Sequence, residues 1–247
     1  MTEQETKDGA GNGTHPGSQR SIATKLAHEL KNPLMAIKGL ASTGTRFYDD
    51  LSDDERREFF ELIGTEADRL VTIAEQTATS LQIENREIVY RVRREHLAPL
   101  ARAVVGGIDL APHPVDIEID PKLEATFDAI RVRDVLQAGL DNAAKFSPAD
   151  TTITIRAGNG PGTNEVLFEI VDAGAGVGEA DRERVFERYV AQRPPGYEDV
   201  PGAGLSLYIA RAHITALGGR IWMEGTESGG STLKFTLPTN ANADGDE

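Results

Sequence analysis

Ala27-His28-Glu29-Leu30-Lys31-Asn32-Pro33-Leu34 lies inside a run whose apolar residues Ile22, Leu26, Leu30, Pro33, Ile37 and Leu40 recur every three or four positions. That is the period of an amphipathic helix. At about 100° per residue, His28 falls opposite Leu26 and Leu30 and so faces water. Asn32 is one turn further along the same exposed stripe. Glu29 stands about a quarter turn round. An exposed imidazole with a carboxylate beside it can act as a nucleophile, because the carboxylate orients the ring and takes its N–H proton. Taken alone, the same residues also describe an ordinary surface histidine on a charged helix, with Pro33 as a local kink.

Working outward, Phe59, Ile63, Ala67, Leu70, Ala74, Thr77 and Leu81 repeat the helical rhythm. Between the two series, residues 48–55 supply a turn. Ser52 is a candidate N-cap, and Glu55 completes a capping box. Residues 18–81 therefore read as two antiparallel helices. One such hairpin buries little apolar surface, so association with a second copy as a four-helix bundle is the expected remedy, giving a homodimer.

After about Asn85 the pattern changes. Short β-rich runs at 115–119, 152–155, 166–171, 219–223 and 231–237 alternate with helical stretches at 95–105, 130–144 and 205–217. That mixture predicts a layered α+β domain. The expected organisation is a disordered arm over residues 1–17, a helical hairpin over 18–84, an α+β domain over 85–238 and an acidic tail over 239–247, with the linker at 82–87.

Composition narrows the function. Across 247 residues, 40 acidic against 26 basic side chains give a net charge of −14, which repels a polyphosphate backbone and argues against nucleic-acid binding. There is no cysteine, which excludes a disulfide scaffold and thiolate chemistry and makes a reducing cytoplasm the expected setting. No run of about 20 apolar residues predicts a membrane segment, and the N-terminus lacks the pattern of a signal peptide. His15, His96, His113 and His213 are scattered without metal-ligand spacing.

Three blocks suit a small anionic ligand. Asp141-Asn142-Ala143-Ala144-Lys145-Phe146-Ser147-Pro148 ends a predicted helix, with Asn142 and Lys145 on one face. An amide oxygen suits Mg2+ and an ammonium suits phosphate. Asp172-Ala173-Gly174-Ala175-Gly176-Val177-Gly178 follows a strand, where a carboxylate can accept from an exocyclic amine and glycines let a flat base approach. Gly202-Ala203-Gly204-Leu205-Ser206-Leu207 opens a helix, whose free N–H groups favour phosphate. Each block alone also fits a purely geometric turn. Neither a GxxxxGK[ST] loop nor a strand–GxGxxG–helix unit is present.

Taken in order, these motifs make the chain resemble, over residues 20–238, the sensor histidine kinases of bacterial two-component systems. His28-Glu29-Leu30-Lys31-Asn32-Pro33-Leu34 is similar to the phosphoacceptor H box, the Asp141–Pro148 block to the N box and Asp172 to Gly176 to the first glycine box. Val185-Phe186-Glu187-Arg188-Tyr189 is similar to the F box, the Gly202 to Leu207 block to the second glycine box, and Gly230-Ser231-Thr232-Leu233 to the terminal glycine–threonine motif.

The resemblance implies the ATP-binding fold shared with gyrase, MutL and the ninety-class heat-shock proteins. It assigns Asp172 to the adenine amine, with Thr232 supporting through water, Asn142 to Mg2+, Lys145 to phosphate, Phe146 to the nucleoside and Arg188 to the γ-phosphate. Gly174, Gly176, Gly202, Gly204 and Leu205 line the ATP site, and residues 190–201 form a lid. Glu29 would polarise His28 for attack on the γ-phosphorus, and the phosphoryl group would pass to an aspartate on a response-regulator receiver domain. Asn32 would orient water for dephosphorylation of that regulator.

Two positions depart from the family pattern. Ala138 stands where a further asparagine usually precedes Asn142 by four residues, and Ser206 replaces the usual glycine after Leu205. Ala138 favours an alternative, a catalytically weakened kinase-like dimer acting by regulator binding or as a phosphatase. A related anti-sigma serine kinase is disfavoured, since that class lacks the phosphohistidine hairpin.

Overall fold

The computed structural model describes residues 16–240, apart from 163, 199, 227 and 228, with side chains described from Thr24 onward. The expected arm lies outside the described residues up to position 15, and the acidic tail does so from position 241. The chain divides into two compact units, Met1–Leu70 and Val71–Glu247. Among the described residues no helix is long and apolar enough to cross a membrane.

The hairpin comprises α1, Pro16–Arg46, and α2, Asp53–Glu84. Helix α1 thus begins two residues before position 18 and runs unbroken through Pro33. The turn is built as expected. Ser52 N and Oγ both donate to Glu55 Oε2, at 2.8 and 2.7 Å, and Glu55 N donates back to Ser52 Oγ at 3.3 Å. Those bonds draw the Glu55 carboxyl below its ordinary range. The inward stripe of α2 contains Phe59, Ile63, Ala67, Leu70, Ile73, Thr77 and Ser80. Ala74 and Leu81 lie off it, because the true spacing shortens to three residues at Leu70–Ile73 and again at Thr77–Ser80, as a coiled-coil seam requires.

The remaining α-helices and strands among the described residues are β1 (Arg93–His96), α3 (Leu97–Val105), β2 (Val115–Ile119), β3 (Glu124–Phe127), α4 (Ala129–Phe146), β4 (Ile153–Asn159), β5 (Glu165–Val171), α5 (Ser206–Ala216), β6 (Ile221–Gly225) and β7 (Ser231–Pro238), with two short 3-10 turns, Glu179–Asp181 and Arg184–Phe186, between β5 and α5. Five strands form a mixed sheet in the order β2-β4-β5-β7-β6, parallel only at β2–β4, while β1 and β3 pair separately. Helices α3, α4 and α5 pack on the sheet. Phe168 and Phe235, stacked at 4.7 Å on the neighbouring strands β5 and β7, are fully buried. At Gly139 a Cβ would press into Ile170 and Leu233, so α4 lies close against these two strands.

Asp128 fixes the start of α4. Its Oδ1 accepts from Ile130 N at 3.0 Å and Arg131 N at 3.3 Å, while its Oδ2 accepts from Arg91 N at 2.7 Å. One carboxylate therefore caps the helix and ties down the segment that follows α2.

Candidate functional site

In the first unit, helix periodicity leaves His28 and Asn32 exposed and one turn apart, with the Asn32 amide nitrogen 3.4 Å from His28 Nδ1. Glu29 is half-buried and reaches across the hairpin. Its Oε2 lies 3.5 Å from Arg69 Nη2 on α2, and Arg69 Nη1 lies 3.7 Å from Glu66 Oε2. The guanidinium thus stands between two carboxylates.

In the second unit, the register of β5 against β7 sets Val171 opposite Thr232, so Asp172 emerges beside the start of β7. Asp172 Oδ1 accepts from Gly174 N at 2.8 Å and Ser231 N at 3.1 Å, and Asp172 N donates to Ser231 O at 2.9 Å. Burial pushes this carboxyl up while the two N–H groups oppose the rise. Thr232 is buried next to it. Ala175 N donates to Phe146 O at 3.2 Å, joining the first glycine turn to the end of α4. A side chain on Gly174 would strike the Phe146 carbonyl, and one on Gly230 would strike the Asp172 carbonyl. Glycine at these two positions therefore lets the turns after β5 and before β7 pack backbone to backbone around Asp172 and the end of α4.

Asn142 is half-buried and Lys145 exposed on α4. Asp141, between Ala138 and Lys145, has its carboxyl raised by burial, with Lys145 opposing. Ala138 presents a buried methyl group at the variant position. Phe146 meets the Tyr197 ring at 5.7 Å, so residues 190–201 contribute an aromatic contact that the sequence alone did not mark.

Gly204 takes φ +66°, a Cβ there would strike the Val190 backbone at 2.6 Å, and Tyr189 N donates to Gly204 O at 2.9 Å. These contacts brace the second glycine turn, while a Cβ at Gly202 would meet open space. Gly176 is also left-handed, at φ +73°. Leu205 is fully buried and offers the site only its backbone. No side chain caps α5, which leaves its first N–H groups available to an anion. Arg188 points elsewhere. It pairs with Glu84 at the end of α2, within the second unit, and lies over the Tyr189 ring at 4.9 Å.

These residues fit a magnesium nucleotide. The Asn142 amide oxygen is of a kind that could ligate Mg2+, which otherwise keeps waters and takes phosphate oxygens, and the Lys145 ammonium suits phosphate. Arg69, Tyr197 and Glu84 escaped the sequence reading, since each meets its partner through the tertiary fold.

Residues 18–86 match the His Kinase A (phospho-acceptor) domain family, and residues 127–241 match the histidine kinase-, DNA gyrase B- and HSP90-like ATPase family. The adaptive-response sensory kinase SasA of Nostoc sp. is 29% identical over 231 residues, covering 88% of this chain and 56% of its own length. The sensor protein KdpD of Mycobacterium tuberculosis is 28% identical over 232 residues, covering 89% of this chain and 26% of its own. The Acinetobacter baumannii histidine kinase AdeS superimposes with a TM-score of 0.65 at 20% identity, covering 86% of this chain and 98% of that one. The chain belongs to the sensor histidine kinases and carries both their phosphoacceptor hairpin and their ATPase domain. It spans between a quarter and just over half the length of these curated relatives.

Proposed function

We propose that this chain, as a homodimer, transfers the γ-phosphoryl group of ATP to His28 and then to an aspartate of a response-regulator receiver domain. The observation that carries the reading is the joint presence, in one chain, of an exposed imidazole flanked by Asn32 and Glu29 and a half-buried Asp172 set among glycine turns at the ends of α4, β5 and β7. Asp172 would accept from the adenine amine, Phe146 and Tyr197 would cover the nucleoside, and Lys145 with the α5 N–H groups would hold phosphate. Asn142 would bind Mg2+, which supplies neutralisation of phosphate charge.

His28 Nε2 attacks in line. An N–P bond forms, the bond from phosphorus to the β–γ bridging oxygen breaks, and ADP leaves with that electron pair. The imidazole then sheds its Nδ1 proton to the Glu29 carboxylate. A cytoplasmic setting belongs to this reading, since ATP is its substrate. The receiver partner is supported by a solved complex of the histidine kinase ThkA with the response regulator TrrA, whose kinase chain shares this fold with a TM-score of 0.65 at 21% identity. ATP as substrate is supported by the ShkA–AMPPNP complex, with a TM-score of 0.63 at 24% identity. Dimerisation is supported by exposed Leu34, Met35 and Phe60 on the hairpin.

Incubation with γ-labelled ATP tests the reading. The expected result is acid-labile, alkali-stable label that disappears in His28→Gln. Nucleotide binding without label would instead favour the reading that Ala138 suggests, a regulator-binding or phosphatase module in which Asn32 orients the attacking water.

A further inference from the structure

The guanidinium of Arg188 is incompletely used. Its Nη1 donates to Glu84 Oε1 at the end of α2, and the group lies over the Tyr189 ring, yet its Nε is buried with no hydrogen-bond partner among the described residues. The side chain is only 18% exposed, so water is poorly placed to serve that donor. A buried donor left unmet is unfavourable, and an arrangement that supplied further acceptors would suit this group better. The backbone beside it is also strained. Tyr189 takes φ +60°, a conformation that bulky residues rarely adopt. Two contacts hold that turn, the Glu84 pair on Arg188 and the bond from Tyr189 N to Gly204 O at 2.9 Å.

We infer that Glu84 is a latch which withholds Arg188 from a bound triphosphate, so that the end of α2 sets the preference of the pocket for ATP over ADP. This rests on the reading of the pocket as a nucleotide site and of Arg188 as its γ-phosphate contact. The place of Arg188 suits that contact. It stands one residue from the Tyr189 N–H that bonds the second glycine turn, and that turn opens α5, whose uncapped N–H groups favour phosphate. The same pair faces the first turn of α5. Burial pushes the Tyr208 hydroxyl there up, the Glu84 charge adds to the rise, and Arg188 and Arg211 oppose it. A guanidinium recognises carboxylate and phosphate through one fork of donors, so Glu84 and a γ-phosphate compete for a single group. Opening the pair is feasible because Glu84 is 42% exposed and water can take over its carboxylate. The competition is reciprocal. A triphosphate that takes Arg188 frees Glu84, just as loss of the Glu84 charge frees Arg188. A diphosphate has no γ-phosphate and makes no claim on Arg188.

Calorimetry on the whole chain in Mg2+ tests the latch, with the triphosphate analogue AMPPNP and ADP as the two probes. Glu84→Gln should tighten AMPPNP about fivefold and leave ADP within about twofold of wild type. Arg188→Gln should weaken AMPPNP about fivefold or more and again spare ADP. Adding Glu84→Gln to Arg188→Gln should change neither affinity, since the contested group is gone.

An equal gain for both nucleotides in Glu84→Gln, or no gain for AMPPNP, would overturn the inference, because a merely structural contact cannot tell a triphosphate from a diphosphate. Should Arg188→Gln fail to fold by circular dichroism, the AMPPNP-to-ADP ratio in Glu84→Gln, a near-isosteric change at an exposed position, decides alone. Failure of the wild type to bind either nucleotide would defeat the functional reading itself. Binding of both, with one ratio shared by wild type and Glu84→Gln, would defeat only the latch.

Discussion

The hairpin and the α/β domain solve burial in opposite ways. Along α2 only Ile73 and Ser80 are buried, and Leu34, Met35 and Phe60 remain 53%, 55% and 70% exposed. In the α/β domain, fully buried Phe127, Phe168, Phe186 and Phe235 head a core contributed by helices and strands alike. The hairpin leaves apolar side chains for the second copy that the proposed dimer would supply, whereas the α/β domain buries its core within its own chain. On the proposed function the difference also divides the labour, since the open helices present the His28 imidazole and the closed layers fix the turns around Asp172.

Phe168→Ala offers the largest expected effect. It should cost the α/β domain about 3–5 kcal/mol, by lost transfer energy and the cavity left beside Phe235. Denaturant curves should show that loss in the α/β transition alone, while the hairpin transition shifts with protein concentration. One shared, concentration-independent transition would break the comparison.

Acid should sharpen it next. His213 is fully buried, its Nδ1 lies 3.0 Å from the Tyr90 hydroxyl, and burial lowers its pKa from 6.5 to about 4, with the Arg131 charge adding to the fall. Between those values the unfolded chain binds a proton that the folded domain refuses, so stability declines as pH falls from 6.5 toward 4. The loss should approach about 3 kcal/mol. Asp134, Asp141 and Asp172, all raised by burial, slope the other way. The quantity to measure is therefore the difference in urea midpoints between wild type and His213→Gln at pH 7 and pH 4.5. Parallel pH profiles would refute the assignment.

The smallest effect belongs to the hairpin turn. Ser52→Ala removes the hydroxyl that bonds Glu55 and should cost about 1 kcal/mol in the helical transition only. A melt of the helical signal checks it.

What was legible in the sequence follows from which interactions are local. The periodicity of α1 and α2, the Ser52–Glu55 cap and strand Val115–Ile119 depend on neighbours within a few residues, and all could be read. Strand Arg93–His96 could not, because its charged residues owe their conformation to pairing with Glu124–Phe127. At the site, the motif order brought Asp172, Gly174 and Thr232 to notice, and the β5–β7 register brings them together. Arg69 and Tyr197 stayed hidden since nothing near them in sequence names Glu29 or Phe146 as partners. The shift of the α2 stripe from Ala74 to Ile73 shows a finer limit, where one step of three rather than four decides which side chain is covered.

The order of the five-stranded sheet carries one more consequence, for solubility. Its outer strand β2 faces water with Asp116 and Glu118, the latter held by Arg156 at 2.7 Å. Any stray strand seeking to extend the sheet there would have to strip water from those carboxylates, so the edge discourages self-association without a covering element. Under the proposed dimer, stickiness would thereby be confined to the helices that meet their own copy.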